Sequence, residues 1–179
     1  MNGTTKKPSF INGQHLDTVS RIPFGRSNIG HAGCAAIASY NLLLMTGRYE
    51  RFESVVSFYN DRFRRFPFSG WGMHGHLGST PRDIARFLGS RGIPFRRSWS
   101  LKHLESLPDP SGAYIILYWN KPFTDGSHAV AVSCIKGRYT AYNHDCDHAV
   151  PSAGDRLADF MHGKQRFICG FFVSAENNG

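Results

Sequence analysis

Apolar residues in the first half of the chain recur with the period of a helix. Residues 33–46 are apolar on nearly every face, which predicts a buried central helix. Residues 49–66 predict an amphipathic helix, because apolar side chains follow one another at steps of three and four. Those side chains are Phe52, Val55, Val56, Tyr59 and Phe63. A third helix is predicted after Thr80, a preferred N-cap residue, with Pro81 at its first position.

The second half of the chain predicts strands. Strands are expected at 112–119, 127–135, 138–143 and 166–173, with a short helix at 154–163 between the last two. Lys136 and Gly137 predict a hairpin turn between the second and third strands. Helices followed by a mainly antiparallel sheet indicate the α+β class.

Length and composition fit one folded domain over residues 1–179. Hydrophobic residues make up 41% of the chain and charged residues 19%, a composition typical of chains that bury a core. The polar ends, 1–12 and 175–179, are expected to fray. The glycine-rich segment 67–80 is expected to form a functional loop.

The apolar runs also bear on the compartment of the protein. None approaches the length of about 18 residues that a membrane span needs. No apolar run follows the early lysines, as it would in a signal peptide. The expected location is cytoplasmic, with leaderless export or injection left open. The four cysteines are therefore expected to be free thiols, and without a CxxC pair no metal or other cofactor is predicted.

Positive charge is concentrated in one region. The net charge is +8, and ten of the fifteen arginines fall between residues 48 and 97. The surface formed by this arginine-rich region can attract an acidic partner, or it can simply be solvated. Nucleic acid is not the expected partner, because the aromatic residues of this region lie on the apolar helix face and no nucleic-acid motif occurs.

Cys34 has the surroundings of a nucleophile. It begins the buried helix, where free N–H groups and the helix dipole favour a thiolate and lower the pKa of the thiol. A histidine from another element would favour the thiolate further. Asn28 lies six residues earlier, and its amide can donate to an oxyanion beside the main-chain N–H of Cys34.

His128 is the best-placed histidine, because it opens a strand at a sheet edge. In a hairpin that turns at Lys136–Gly137, residues whose numbers sum to about 273 lie opposite each other. His128 is then near Asp145, or near Asn143 if the register slips or bulges. Either side chain can accept the imidazole N–H and hold its tautomer.

These residues carry a family resemblance. Asn28 and "CAAIA", the strand "GSHAVAV" and the strand "YTAYN" together resemble the papain-like cysteine peptidases, most closely the C39-like, bacteriocin-processing branch known from bacteria. The resemblance implies a papain-like fold in which a helical lobe carries the nucleophile against an antiparallel sheet. It implies Cys34 as nucleophile, His128 as base and acid, Asn143 as orienting residue and Asn28 as oxyanion donor, with Asp145 competing with Asn143.

The expected function is that of a thiol hydrolase, a cysteine peptidase acting on a peptide or protein through a thioester. The same residues would serve a deamidase or an acyltransferase. A non-catalytic binding module with a basic partner surface is the alternative from another class. Trp71, His74 and the turn "TDGS" at 124–127 are expected to flank the cleft.

A metal-dependent function is a further alternative. The side chains of His144, Cys146 and His148 alternate along the chain and would share one face of a strand. A polar loop without metal is the interpretation that we favour, because ligands this closely spaced are not a usual structural zinc pattern.

Overall fold

The computed structural model describes residues 9–66, 68, 75–107, 110–120 and 126–175. Within these residues the longer helices coincide with the three that the sequence predicts. The helices are α1 (Ile29–Ala32), α2 (Cys34–Met45), α3 (Phe52–Arg65), α4 (Pro81–Ser90) and α5 (Leu101–Glu105), followed by a 3₁₀ turn (Leu157–Phe160). The five apolar residues predicted for the inner face of α3 are all buried.

The strands form one large antiparallel sheet and one small hairpin. The strands are β1 (Pro23–Phe24), β2 (Ser27–Asn28), β3 (Arg96–Ser98), β4 (Gly112–Trp119), β5 (Ser127–Ile135), β6 (Arg138–Tyr142), β7 (Ser152–Gly154) and β8 (Arg166–Ser174). The strands β1 and β2 pair with each other, and the sheet has the order β3-β8-β4-β5-β6-β7. The predicted α+β class is confirmed.

The hairpin between β5 and β6 has the predicted register. Ala131 lies opposite Tyr142, so that paired residue numbers sum to 273. Lys136 and Gly137 both have positive φ, 51° and 75°, as a two-residue type I′ turn requires. This turn fixes where the strand after His128 returns to the sheet.

Apolar residues form a separate core on each face of the sheet. The residues of β5 that point to one face, Ala129 and Ala131, pack with α2, α3 and α4. The residues that alternate with them, Val130 and Val132, pack under the 3₁₀ turn and α5. Because α2 lies against β4 and β5, its first turn comes close to the start of β5. The fold therefore places Cys34 close to the strand that carries His128.

The elements that the sequence pattern does not reveal are short. β1, β2, β3 and β7 have two or three residues, and α1 and α5 have four and five, too few to show a period. Part of the N-terminal end is also held in place. The main-chain N–H and carbonyl of Ile11 bond the side chain of Asn41 at 2.9 and 2.8 Å. Ile11 is therefore anchored, whereas residues 1–8 of the segment 1–12 predicted to fray lie outside the described residues.

Candidate active site

Cys34 is the first residue of α2, directly after the short helix α1. Gly33 ends α1 and caps α2. A Cβ at Gly33 would lie 2.6 Å from the Cα of Ile29, so only glycine permits the two helices to follow each other so tightly. The side chain of Cys34 is partly exposed, whereas its neighbours Ala35 and Ala36 are buried. Cys34 is therefore held at the start of a helix whose next two residues are in the core.

Three main-chain N–H groups lower the pKa of the Cys34 thiol. They belong to Ala129, Ala35 and Cys34 itself, and each favours the thiolate. Burial has the larger effect, and it raises the pKa of the Cys34 thiol above its ordinary value. The lowered pKa predicted from the helix terminus is thus wrong in direction, because desolvation of a thiolate costs more than these N–H groups return. The resting thiol is neutral.

The imidazole of His128 is held by the main chain. Its Nε2 lies 2.7 Å from the carbonyl oxygen of Asn143, and the side chain is only 6% exposed. Because a carbonyl only accepts, Nε2 carries the proton and Nδ1 of the neutral ring is left unprotonated. Nδ1 makes no hydrogen bond to any residue that the structure describes. Burial lowers the pKa of His128 to about 4, against the opposing effect of the Asn143 carbonyl.

Cys34 and His128 are brought to the same place. One of the N–H groups that lower the pKa of the Cys34 thiol is that of Ala129, the residue that follows His128 in β5. The thiols of Cys34 and Cys146 also interact electrostatically, and Cys146 lies 3.9 Å from His128 Nε2. The thiol of Cys34 and the ring of His128 therefore lie on elements that pack against each other.

The side-chain amide of Asn143 does not bond His128. Its Nδ2 donates to the Oε1 of Gln14 at 3.2 Å, while the Nε2 of Gln14 donates to the carbonyl of Gly30 at 3.0 Å. Since the Gly30 carbonyl only accepts, it fixes the orientation of both amides in turn. The Oδ1 of Asn143 is buried and has no hydrogen-bond partner within the described part of the chain. His128 is therefore bonded by the carbonyl of Asn143 and not by its side chain, the group that the sequence indicates.

Asn28 lies at the edge of the site as the N-cap of α1. Its Oδ1 accepts from the main-chain N–H of His31 at 3.0 Å, and its side chain is exposed. This cap fixes the amide through its oxygen and leaves two N–H donors on Nδ2. The oxyanion role of Asn28 stays a prediction.

The segment after Asn143 does not converge on a metal. His144 bonds Ser152 and the carbonyl of Phe160, at 3.0 and 3.1 Å, while His148 bonds Asp145 at 2.6 Å. Asp145 also accepts from the main chain two residues on, at 2.9 Å, so its carboxylate is not the partner of His128. No group of three or more potential metal ligands occurs among the described residues.

Three further residues contact His128 or Asn143, and the sequence does not link any of them to this site. Cys146 lies beside His128, and burial raises the pKa of its thiol to about 12, which keeps it neutral. Gln14 is buried against Asn143, and Asn12 accepts from the main-chain N–H of Asn143 at 3.0 Å. Because Asn12 and Gln14 precede Asn143 by about 130 residues, no local pattern connects them. Trp71, His74 and residues 124 and 125 of the "TDGS" turn lie outside the described residues.

Comparison with known proteins supports the fold. No family model and no curated protein matches the chain. Among solved structures, the chain is similar to the peptidase domain of Streptococcus ComA, a bifunctional ABC transporter involved in a quorum-sensing pathway. The TM-score is 0.52 at 12% identity, and the match covers 93% of this chain and 99% of that domain. The predicted papain-like, C39-like fold is thereby confirmed.

Proposed function

We propose that this protein is a papain-like thiol hydrolase, a cysteine peptidase that cleaves a peptide bond through a thioester. The observation that carries the proposal is the buried His128, whose Nε2 is held by the carbonyl of Asn143 and which lies in the strand that packs against the helix beginning with Cys34. The fold shared with a peptidase domain agrees with it. Cys34, His128, Asn143 and Asn28 are the proposed site residues.

The proposed reaction begins from a neutral pair. The Cys34 sulfur attacks the acyl carbon of the substrate as its proton passes to His128 Nδ1. The main-chain N–H of Cys34 and the Nδ2 of Asn28 donate to the oxyanion that forms. The carbon–nitrogen bond then breaks, and His128 gives its proton to the leaving amine. Because the ring starts neutral and Asn143 holds Nε2, only Nδ1 exchanges protons.

Hydrolysis of the thioester completes the cycle. Water attacks the acyl carbon and loses a proton to His128 Nδ1, the carbon–sulfur bond breaks, and the proton returns to the sulfur of Cys34. An amine in place of water would give acyl transfer, and a glutamine side chain as substrate would give deamidation. These three reactions use the same residues and differ only in what occupies the cleft.

Alkylation of Cys34 by iodoacetamide tests the proposal, with each cysteine followed by peptide mass spectrometry. We expect Cys34 to react faster than Cys134 and Cys169, which are buried, and His128→Ala to slow it by about tenfold or more, since general base catalysis is worth at least that much. His103→Ala is the matched control, because it removes an exposed histidine of α5 on the other face of the sheet, and it should leave the rate at Cys34 unchanged. Reaction of Cys34 at an ordinary thiol rate, with or without His128, would contradict the proposal and favour a binding module.

Incubation with a mixed peptide library separates the reactions. A peptidase gives two fragments, a deamidase leaves the peptide intact and converts glutamine to glutamate, and an acyltransferase joins an added amine to the peptide. Each product should disappear with Cys34→Ala. We expect the wild-type protein to give the two fragments that a peptidase produces.

A further inference from the structure

The N-terminal segment Ile11–His15, here named the strap, lies across the candidate site and contacts both of its sides. Asn41, a buried residue of the nucleophile helix α2, bonds both main-chain groups of Ile11. Asn12 and Gln14 both bond Asn143. The strap therefore joins the helix that begins with Cys34 to the residue whose carbonyl holds His128.

Gln14 makes the most direct of these connections. Its Nε2 donates to the carbonyl of Gly30, four residues before Cys34, and its Oε1 accepts from Asn143. Gln14 is 3% exposed, so both bonds form away from water, where losing one leaves a buried polar group unpaired. A single amide thus joins the short helix α1, which precedes the nucleophile, to the residue that supports the base.

The backbone of Asn143 needs this support. Its φ is 60°, in the left-handed region that asparagine tolerates but does not prefer. In this conformation its N–H points to the Oδ1 of Asn12 and its carbonyl points to His128. Because N–H and carbonyl are parts of one residue, a shift of Asn143 that breaks the bond to Asn12 also moves the acceptor of His128.

The strap also contacts the segment that follows Asn143. The main-chain N–H of His15 donates to the carbonyl of Cys146 at 2.9 Å, and its ring bonds Asp147 at 2.8 Å. Gly13 has a φ of 74°, and a Cβ there would lie 2.6 Å from the Leu16 side chain. The glycine permits the bend that lets Asn12 and Gln14 approach the same residue.

We infer that Asn12 and Gln14 are positioning residues, which hold the carbonyl of Asn143 so that Nδ1 of His128 stays directed at the nucleophile. The inference rests on the proposed function. The expected effect of their loss is a slower reaction at Cys34 in a folded protein, since supporting residues act through the group they hold.

A double-mutant cycle on the rate of Cys34 alkylation by iodoacetamide tests the inference. Asn12→Leu and Gln14→Met should each slow the reaction by about threefold to tenfold, a fraction of the effect of His128→Ala. Asn12→Asp keeps the acceptor for the Asn143 N–H and should restore the rate. Combined with His128→Ala, neither variant should slow the reaction further, because each acts only through His128.

Controls separate positioning from general damage. Ser98→Ala removes a side chain that likewise bonds main-chain groups, those of Ser100, at the far edge of the sheet, and should leave the rate unchanged. A thermal melt verifies folding, and Asn12→Ala replaces Asn12→Leu in the cycle if the latter does not fold. If the strap variants slow Cys34 alkylation equally in the presence and in the absence of His128, the inference is overturned. Wild-type alkylation rates in both Asn12→Leu and Gln14→Met would overturn it as well. If His128→Ala itself has no effect, the proposed function fails instead.

Discussion

At the scale of single residues, the candidate site depends on groups that are buried and neutral. His128 and Asn143 are 6% and 1% exposed, and burial raises the pKa of Cys34 while it lowers that of His128. An ion pair of thiolate and imidazolium is therefore not the resting state. The base is available at every pH at which the ring is unprotonated, so the acid limit of the reaction should lie well below the pKa of an ordinary histidine.

The low pKa of His128 predicts a pH dependence of stability. The pKa is about 4 in the folded protein and about 6.5 in the unfolded chain, so between these values the unfolded chain binds more protons. The free energy of unfolding should therefore fall by about 3 kcal/mol as pH decreases from about 6.5 to about 4, and then level off.

Urea denaturation at several pH values measures this fall. His128→Gln is the comparison, because glutamine is similar in size and does not titrate. The difference between wild type and variant isolates His128 from the other groups that titrate in this range. The same pH dependence in both proteins would show that His128 is not a buried neutral base.

At the scale of elements, Asp83 joins two helices. It accepts from the main-chain N–H and the hydroxyl of Thr80, at 2.9 and 2.7 Å, which forms the capping box of α4. It also accepts from the Nε of Arg62 in α3 at 3.0 Å. The carboxylate is 2% exposed in its side chain, so the cap and the ion pair are shielded from water. The start of α4 and its place against α3 therefore depend on one residue.

Asp83→Ala should lower the free energy of unfolding by about 3–4 kcal/mol, because it leaves Arg62, whose side chain is 15% exposed, without this carboxylate and removes a helix cap. Arg64→Ala is the matched control. It breaks an exposed ion pair of the same α3 helix, with Asp61 at 3.9 Å, and should change stability by less than about 0.5 kcal/mol. Urea denaturation of both variants gives the comparison, and similar losses in the two would contradict it.

At the scale of the whole molecule, the sheet is covered on both faces. Helices α2, α3 and α4 cover the face that Ala129 contributes to, and α5 with the 3₁₀ turn covers the other. Gly170 in β8 lies under Leu104 of α5, and a Cβ there would overlap the Leu104 Cδ1 atom. The absence of a side chain at this position leaves room for the buried Leu104 against the sheet.

Gly170→Ala should therefore destabilise the protein by about 1–3 kcal/mol, the usual cost of overpacking a core. Gly89→Ala offers a matched control, because a Cβ at this helical glycine of α4 meets nothing within 4 Å. It should stabilise by about 0.5–1 kcal/mol through helix propensity. Thermal melts of the two variants should shift in opposite directions; a shift in the same direction would show that α5 moves aside at no cost.

Charge is also a property of the whole molecule. All four acids of the region 48–97 form ion pairs with its arginines: Glu50, Glu53, Asp61 and Asp83. The ten arginines exceed the acids by six, so the region remains strongly positive. An acidic partner on this surface stays a prediction. No helix among the described residues is long and apolar enough to cross a bilayer.

The sequence determined the parts of this protein that depend on local repetition. Periodicity predicts the helices α2, α3 and α4 and the strands β4, β5, β6 and β8. Turn chemistry at Lys136 and Gly137 predicts the register of the hairpin. The sequence also placed a cysteine at a helix start and a histidine at a strand start.

The tertiary structure decided what surrounds those side chains. Burial, which a sequence does not reveal, reversed the expected direction of the Cys34 pKa. The carbonyl of Asn143 holds His128 because the chain turns left-handed there, and Asn12 and Gln14 reach that turn from about 130 residues away. Contacts between distant segments have no period or spacing to read, since they arise only when the chain has folded.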